Sequence, residues 1–149
     1  MNKLLKNILQ ALVIAAISVV LLNLTFLFYA IFQNAISRLI LGDPFWPPLP
    51  LVHILFLVVI GAISWVVFDS KLFNTFWKAA YTSVPLAVAL VFIGIIFYRL
   101  SVMAYLLGAL VSLGVLYYLW RAKKSWFYFY TVILVSLALG IFTLLGGEI

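Results

Sequence analysis

Apolar residues fill this chain in long, nearly uninterrupted blocks, and polar residues collect in short segments between them. Blocks of this length read as membrane-spanning helices. Five spans are predicted: Ile8 to Phe32, Leu51 to Phe68, Ala79 to Tyr98, Val102 to Trp120, and Trp126 to Leu145. At about 1.5 Å per residue the shortest, Leu51 to Phe68, covers roughly 27 Å, close to the ~30 Å hydrocarbon core. The longest, Ile8 to Phe32, must tilt or project beyond it. Lys3 and Lys6 precede this first span as they would precede a signal peptide. A signal-peptide core is usually only about 7–15 residues and no clear A-x-A site follows, so a retained helix is expected.

The segments between the blocks set a direction. Lys3, Lys6, Lys71, Lys78, Arg121, Lys123 and Lys124 would share one side, against Arg38 and Arg99 on the other. Lys and Arg in short loops favour the cytoplasmic side. The N-terminus is therefore expected in the cytoplasm and the C-terminus outside. Four or six spans would spoil this alternation. Trp65, Trp77, Trp120 and Trp126 all fall near the cytoplasmic boundary, where amphipathic rings prefer to sit. The run "LYYLWRAKKSWFYFY", Leu116 to Tyr130, is a tight turn with a basic tip and an aromatic collar. It reads as an interfacial anchor beside anionic headgroups, or alternatively as a docking site for a cytoplasmic partner.

Composition agrees with this class. The chain is 68% hydrophobic and 8% charged, whereas a soluble domain is about a quarter charged. A single all-α polytopic membrane domain is expected over residues 1–149. No repeat or low-complexity tract suggests another unit. The net charge of +6 belongs to the turns that orient the spans, so nucleic acid is not an expected partner. The absence of cysteine excludes disulfides, thiol chemistry and cysteine zinc sites.

Helix association in lipid depends on close backbone approach and on polar contacts. Ala104, Gly108 and Ser112 recur four apart on the fourth span; Ala79, Ser83 and Ala87 do so on the third, with Gly94 seven further on. Only Arg99 to Ser101 joins these two spans, so they must be antiparallel neighbours. Counting inward from the turn puts Gly94 near the depth of Gly108, and Ala87 near that of Ser112. A close hairpin is expected along that seam, with Ser136 and Gly140 as a similar patch on the fifth span. Pro85 removes a backbone donor within the third span and frees the carbonyl of Tyr81. Thr82 and Ser83 could satisfy the gap. The result is a tolerated kink, or else a hinge or an opened carbonyl that meets a ligand.

Reactive groups are few. Asp43, Asp69 and Glu148 are the carboxylates, and all lie in loops or at the terminus; His53 is the sole histidine. No span holds a buried acid or base, so a proton or cation relay is poorly supported. Metal sites want three or four clustered ligands, so no metal and no cofactor is expected. No nucleophile, phosphate-loop or metalloprotease motif occurs, which leans against an enzyme. His53 falls at the outer end of the second span, where water or backbone would satisfy it; a pH-sensitive contact with Asp43 is the sharper alternative. Asn23 lies past the middle of the first span, with Thr25 close by. It would bond another helix or mark a polar point in a ligand cavity.

The segment "GDPFWPPLP", Gly42 to Pro50, concentrates Pro44, Pro47, Pro48 and Pro50 on the outer side. It leans toward polyproline II, with Pro50 serving as the first residue of the second helix. Upstream, Ala35 to Leu41 could lie along the interface. The prolines make a stiff connector, or a rigid lid that presses Phe45 and Trp46 into the lipid boundary or over a helix cavity. "PFWPP" with the following "LVHILFLVVIGAISWVVF" resembles the tryptophan-rich translocator protein family. Its members bind porphyrins and sterol-like ligands in a five-helix bundle. "FYRLSVMAYLL", Phe97 to Leu107, is similar to that family's turn before its last helix. Here that turn falls between the third and fourth spans, and the family's asparagine- and tryptophan-rich third helix has no counterpart. No binding residue is carried over.

The function expected first is a non-catalytic subunit or scaffold working through helix contacts. Ala87, Gly94, Ala104, Gly108, Ser112, Ser136 and Gly140 are its packing residues, and a membrane-protein partner or a second copy its counterpart. The alternative is a binder or transporter of an apolar or amphipathic small molecule, with Trp46, His53, Pro85 and Asn23 as candidate contacts. The expected setting is the lipid bilayer of a prokaryotic plasma (inner) membrane.

Overall fold

A computed structural model describes residues 2–42 and 50–146, and every regular element among them is a helix. These are α1 (Lys3–Leu41), α2 (Pro50–Asp69), α3 (Thr75–Tyr81), α4 (Ser83–Ile96), α5 (Ser101–Arg121) and α6 (Trp126–Leu144). With α3 and α4 taken as one kinked rod, five helices are long and apolar enough to cross a membrane.

Two of the five spans, the first and the third, differ from the sequence reading by more than one residue at their ends. Residues 35–41 are not a separate interfacial segment but the continuation of α1. Nothing between Ala35 and Leu41 breaks a helix. The first residue that does is Gly42, which takes a left-handed φ of 69° and donates its N–H to the carbonyl of Arg38. At 1.5 Å per residue α1 is ~58 Å long, almost twice a hydrocarbon core. The third rod begins at Thr75 rather than Ala79, because the Asn74 side chain accepts from the backbone N–H of Trp77 at 3.2 Å. It ends at Ile96 rather than Tyr98.

The kink lies between α3 and α4 at Thr82, three residues before Pro85. A proline ring displaces the turn that precedes it, which is where the break occurs. Two hydroxyls brace it. Thr82 Oγ1 donates to the carbonyl of Lys78 at 3.0 Å, and Ser83 Oγ donates to that of Ala80 at 2.7 Å. They serve the carbonyls beside Tyr81 rather than the one the sequence singled out.

α4 is the axis of the bundle and is packed on two sides. Val84, Val88, Val91 and Phe92 meet Phe56 and Ile60 of α2, with Leu21, Phe26 and Tyr29 of α1 against them. Leu86 and Ala87 face the other way, joining Ala79 of α3, Leu119 of α5 and Tyr128, Val132 and Val135 of α6. Small side chains make this possible: Ala79, Ala80, Ser83 and Ala87 are all fully buried. The outside is apolar instead, with Val20, Val58, Leu106 and Leu110 all more than half exposed. That is the reverse of a water-soluble surface.

One end of the bundle is basic. There α5 closes through Lys123, at a left-handed φ of 50°, with the Lys124 N–H reaching the carbonyl of Leu119. Lys78 Nζ caps the last turn of α2 by donating to the carbonyl of Phe68 at 2.6 Å. Trp65, Trp77, Trp120 and Trp126 all stand exposed or nearly so around this end.

Ala87 is fully buried in the cluster that α4 shares with α5 and α6, which leaves little room for a larger group. Ala87→Leu should lower unfolding stability in detergent by about 1–3 kcal/mol through overpacking. Leu110→Ala, on the outer face of α5, should stay within about 0.5 kcal/mol in the same assay.

Candidate functional site

The turn at Arg99–Ser101 folds α5 back along α4, and the basic turn folds α6 back along α5. The end of α4, the start of α5 and the end of α6 therefore meet at the end of the bundle opposite the basic turn. Near the basic turn these helices are filled in by Leu119, Tyr128 and Val132. Toward the other end they are not. A cleft of about 990 Å³ opens between them, walled by Gly94 of α4, Ala104, Gly108 and Ser112 of α5, and Ser136 and Gly140 of α6.

Of the small residues singled out in the sequence, Gly94, Ala104, Gly108, Ser112, Ser136 and Gly140 thus lie on one shared surface, while Ala79, Ser83 and Ala87 sit in the core. Their effect varies along the cleft. At Gly108 a Cβ would come within 3.5 Å of the Leu90 side chain, an ordinary packing distance. At Gly140 a Cβ would meet nothing within 4 Å. At the cleft's floor the Ser136 hydroxyl donates to that of Ser112 at 2.9 Å, tying α6 to α5. Thr143 Oγ1 is held by the carbonyls of Leu139 and Gly140.

The lining is apolar, apart from these hydroxyls, Ser101, and the phenols of Tyr98 and Tyr105. Among the described residues it includes no carboxylate, histidine, lysine or arginine. At the rim, Arg99 Nε donates to the Tyr98 hydroxyl at 2.7 Å, leaving a guanidinium beside the mouth. Such a surface can hold an apolar body and meet one or two neutral polar groups. Among the described residues no group of three potential metal ligands comes together.

A second, wholly apolar pocket of about 330 Å³ lies across α4, between Phe26 and Tyr29 of α1 and Phe142 of α6. Val91, Ile95 and Leu139 form the wall it shares with the cleft.

The four candidate ligand contacts are dispersed. Trp46 lies outside the described residues, as do Asp43, Phe45 and Glu148. Pro85 sits at the kink and lines neither cavity. Asn23 points away from the bundle and donates to the carbonyl of Val19 in its own helix at 2.8 Å. His53, in the first turn of α2, is buried among its neighbours. Its Nε2 lies 3.1 Å from the Tyr29 hydroxyl, and its ring packs edge-on to Phe92 at 5.0 Å. Phe56 completes this aromatic knot, with ring centres 5.0 Å from Tyr29. The knot ties α1, α2 and α4 together. Tyr29 carries no signal of this role in the sequence, because nothing in its spacing connects it to a histidine on another helix.

Comparison with protein-family models, curated proteins and solved structures gives no match to this chain. The resemblance of its proline segment to translocator proteins gains no support from them.

The Tyr29–His53 pair should be energetically coupled. A double-mutant cycle with Tyr29→Phe and His53→Leu, read by unfolding in detergent, should give a coupling of ~0.6 kcal/mol or more, as for interhelical bonds in membranes. Additive effects would show that the hydroxyl and the imidazole act separately.

Proposed function

We propose that this protein is a non-catalytic membrane protein that holds an apolar or amphipathic small molecule in the cleft between α4, α5 and α6. The observation that carries this reading is the cleft itself: small residues on three facing helices leave a space where they could have closed one. Its volume of about 990 Å³ is at the upper end of the ~300–1,000 Å³ typical of small-molecule sites. Its position supports lateral entry, since the outer faces of α5 and α6 beside it carry Leu106, Leu110 and Leu137, all more than half exposed. A ligand would reach it from the hydrocarbon without crossing water.

The lining narrows the ligand class. An alkyl or fused-ring body suits Leu90, Leu113 and Leu139; a hydroxyl or carbonyl suits the Ser112–Ser136 pair; an anionic or neutral head suits Arg99 and Tyr98 at the rim. The basic residues of the turns favour a cytoplasmic N-terminus in a prokaryotic plasma (inner) membrane. The cleft would then open in the outer half of the bilayer. The competing subunit or scaffold reading takes the same small residues, Gly94, Ala104, Gly108, Ser112, Ser136 and Gly140, as a surface for packing another helix.

Filling the cleft tests the proposal. Gly140→Phe has room for its side chain and should leave the fold intact. In nanodiscs it should weaken binding of a fluorescent fatty acid or sterol analogue at least tenfold, and remove any co-purifying lipid seen by native mass spectrometry. Leu110→Phe, outside the cleft, should bind as the unaltered protein does. Equal binding by Gly140→Phe at unchanged melting temperature would overturn the assignment.

A further inference from the structure

α1 is packed on one side only. Over residues 14–34 its buried residues are Ile14, Ser18 and Thr25, and they lie toward the rest of the bundle. The opposite side is bare and has a regular pattern. Ala16, Val20, Asn23, Leu27, Ala30 and Asn34 are all exposed, and they follow one another at alternating steps of four and three. Ser37, the next step of this stripe, is buried and ends it. That is a heptad seam, the spacing by which one helix meets a second along a shallow left-handed crossing. A strict seven-residue repeat drifts only about 20° per heptad on a straight helix, so the six residues stay on one face.

Asn23 turns the pattern into an argument. Leu21 and Leu22 beside it pack against clusters that contain Ile60 and Val88, and Leu86 and Ala87, all near the middles of their helices. Asn23 therefore lies near the middle depth of the bundle, pointing outward. Its amide gives one hydrogen to the carbonyl of Val19. Its own carbonyl and second hydrogen would face hydrocarbon, which offers neither donor nor acceptor. Asn34, the other outward-facing amide in the spanning part of α1, falls on the same seam.

We propose that the chain forms a parallel two-fold homodimer through this face of α1, with Asn23 bonded to Asn23 of the second copy. Identical chains inserted in the same sense carry their α1 helices parallel, so each seam residue meets its own counterpart at equal depth. An asparagine amide is self-complementary, because each carbonyl accepts from the other's N–H. Ala16 and Ala30, one heptad to either side, let the backbones come close enough for so short a side chain to reach. No residue of α1 lines the cleft, so the inference is independent of what the cleft holds.

The chain has no cysteine, which makes the test direct. Single variants Ala16→Cys, Val20→Cys and Ala30→Cys, oxidised in proteoliposomes, should give disulfide-linked dimers of this chain. Leu110→Cys and Val58→Cys, equally exposed on α5 and α2, should not. Asn23→Leu should raise the dimer dissociation constant in detergent roughly five- to thirtyfold at unchanged melting temperature, and Asn23→Gln should recover part of the loss. The proposal is overturned if cross-linking is as strong at Leu110 and Val58 as on the seam, if it is absent from the seam, or if Asn23→Leu leaves dissociation unchanged. Seam cysteines that capture a different membrane protein in native membranes, rather than a second copy, would overturn it as well.

Discussion

The whole architecture depends on one constraint: inside a bilayer the peptide backbone has no water to bond, so each crossing must satisfy its own N–H and C=O groups. Helices do this, and that leaves helix-to-helix contact as the only variable. Hydrocarbon surrounds every leucine equally well, so burying large apolar side chains gives little preference for one packing over another. Close contact is decided by what is small and by what can hydrogen-bond. The chain follows that rule. Ala79, Ala80, Ser83 and Ala87 are fully enclosed, alongside Val88, Val132 and Thr131, while most of its leucines lie on the outside. Among the described residues, side chains bond across helices at Tyr29 with His53, Ser64 with Tyr81, and Ser112 with Ser136.

The same constraint explains why small residues do two different things here. Around Ala87 they draw α4 and α6 together, because Val132, Val135 and Leu119 fill the remaining space. Around Gly94 and Gly140 no such filler faces them, and the result is a cleft. A kinked third rod contributes. Pro85 places a bend at Thr82, so α3 and α4 need not follow one line, and α4 can serve both flanks of the bundle. Two faces then remain without a partner in a single chain, the cleft and the outer side of α1. One has room and scattered hydroxyls, which suits a small molecule. The other has a regular stripe and a central amide, which suits another helix.

The number of spans was legible in the sequence, because unbroken apolar runs have few alternatives. So was the kink at Pro85, since proline acts locally. The long α1 was underestimated, as the single charge of Ala35 to Leu41, Arg38, suggested an interface where the backbone has no reason to stop before Gly42. The start of α3 was missed because a capping asparagine, Asn74, counts for more than the hydropathy of its neighbours. The cleft could not be seen in advance. A glycine or serine at helical spacing announces close approach and open space in the same letters, and only the size of the facing side chain distinguishes them. The burial of His53 was hidden likewise, since its partner Tyr29 and its neighbour Phe92 come from other helices.

The central claim is that five helices thread the hydrocarbon in alternating directions. Single cysteines in this cysteine-free chain, probed with a membrane-impermeant maleimide in intact cells, test it most directly. The account predicts that Leu100→Cys labels from outside, that Leu72→Cys and Ala122→Cys label only after permeabilisation, and that Leu110→Cys does not label until the protein is denatured. Labelling of Leu100→Cys and Ala122→Cys from the same side, or ready labelling of Leu110→Cys in intact membranes, would contradict it.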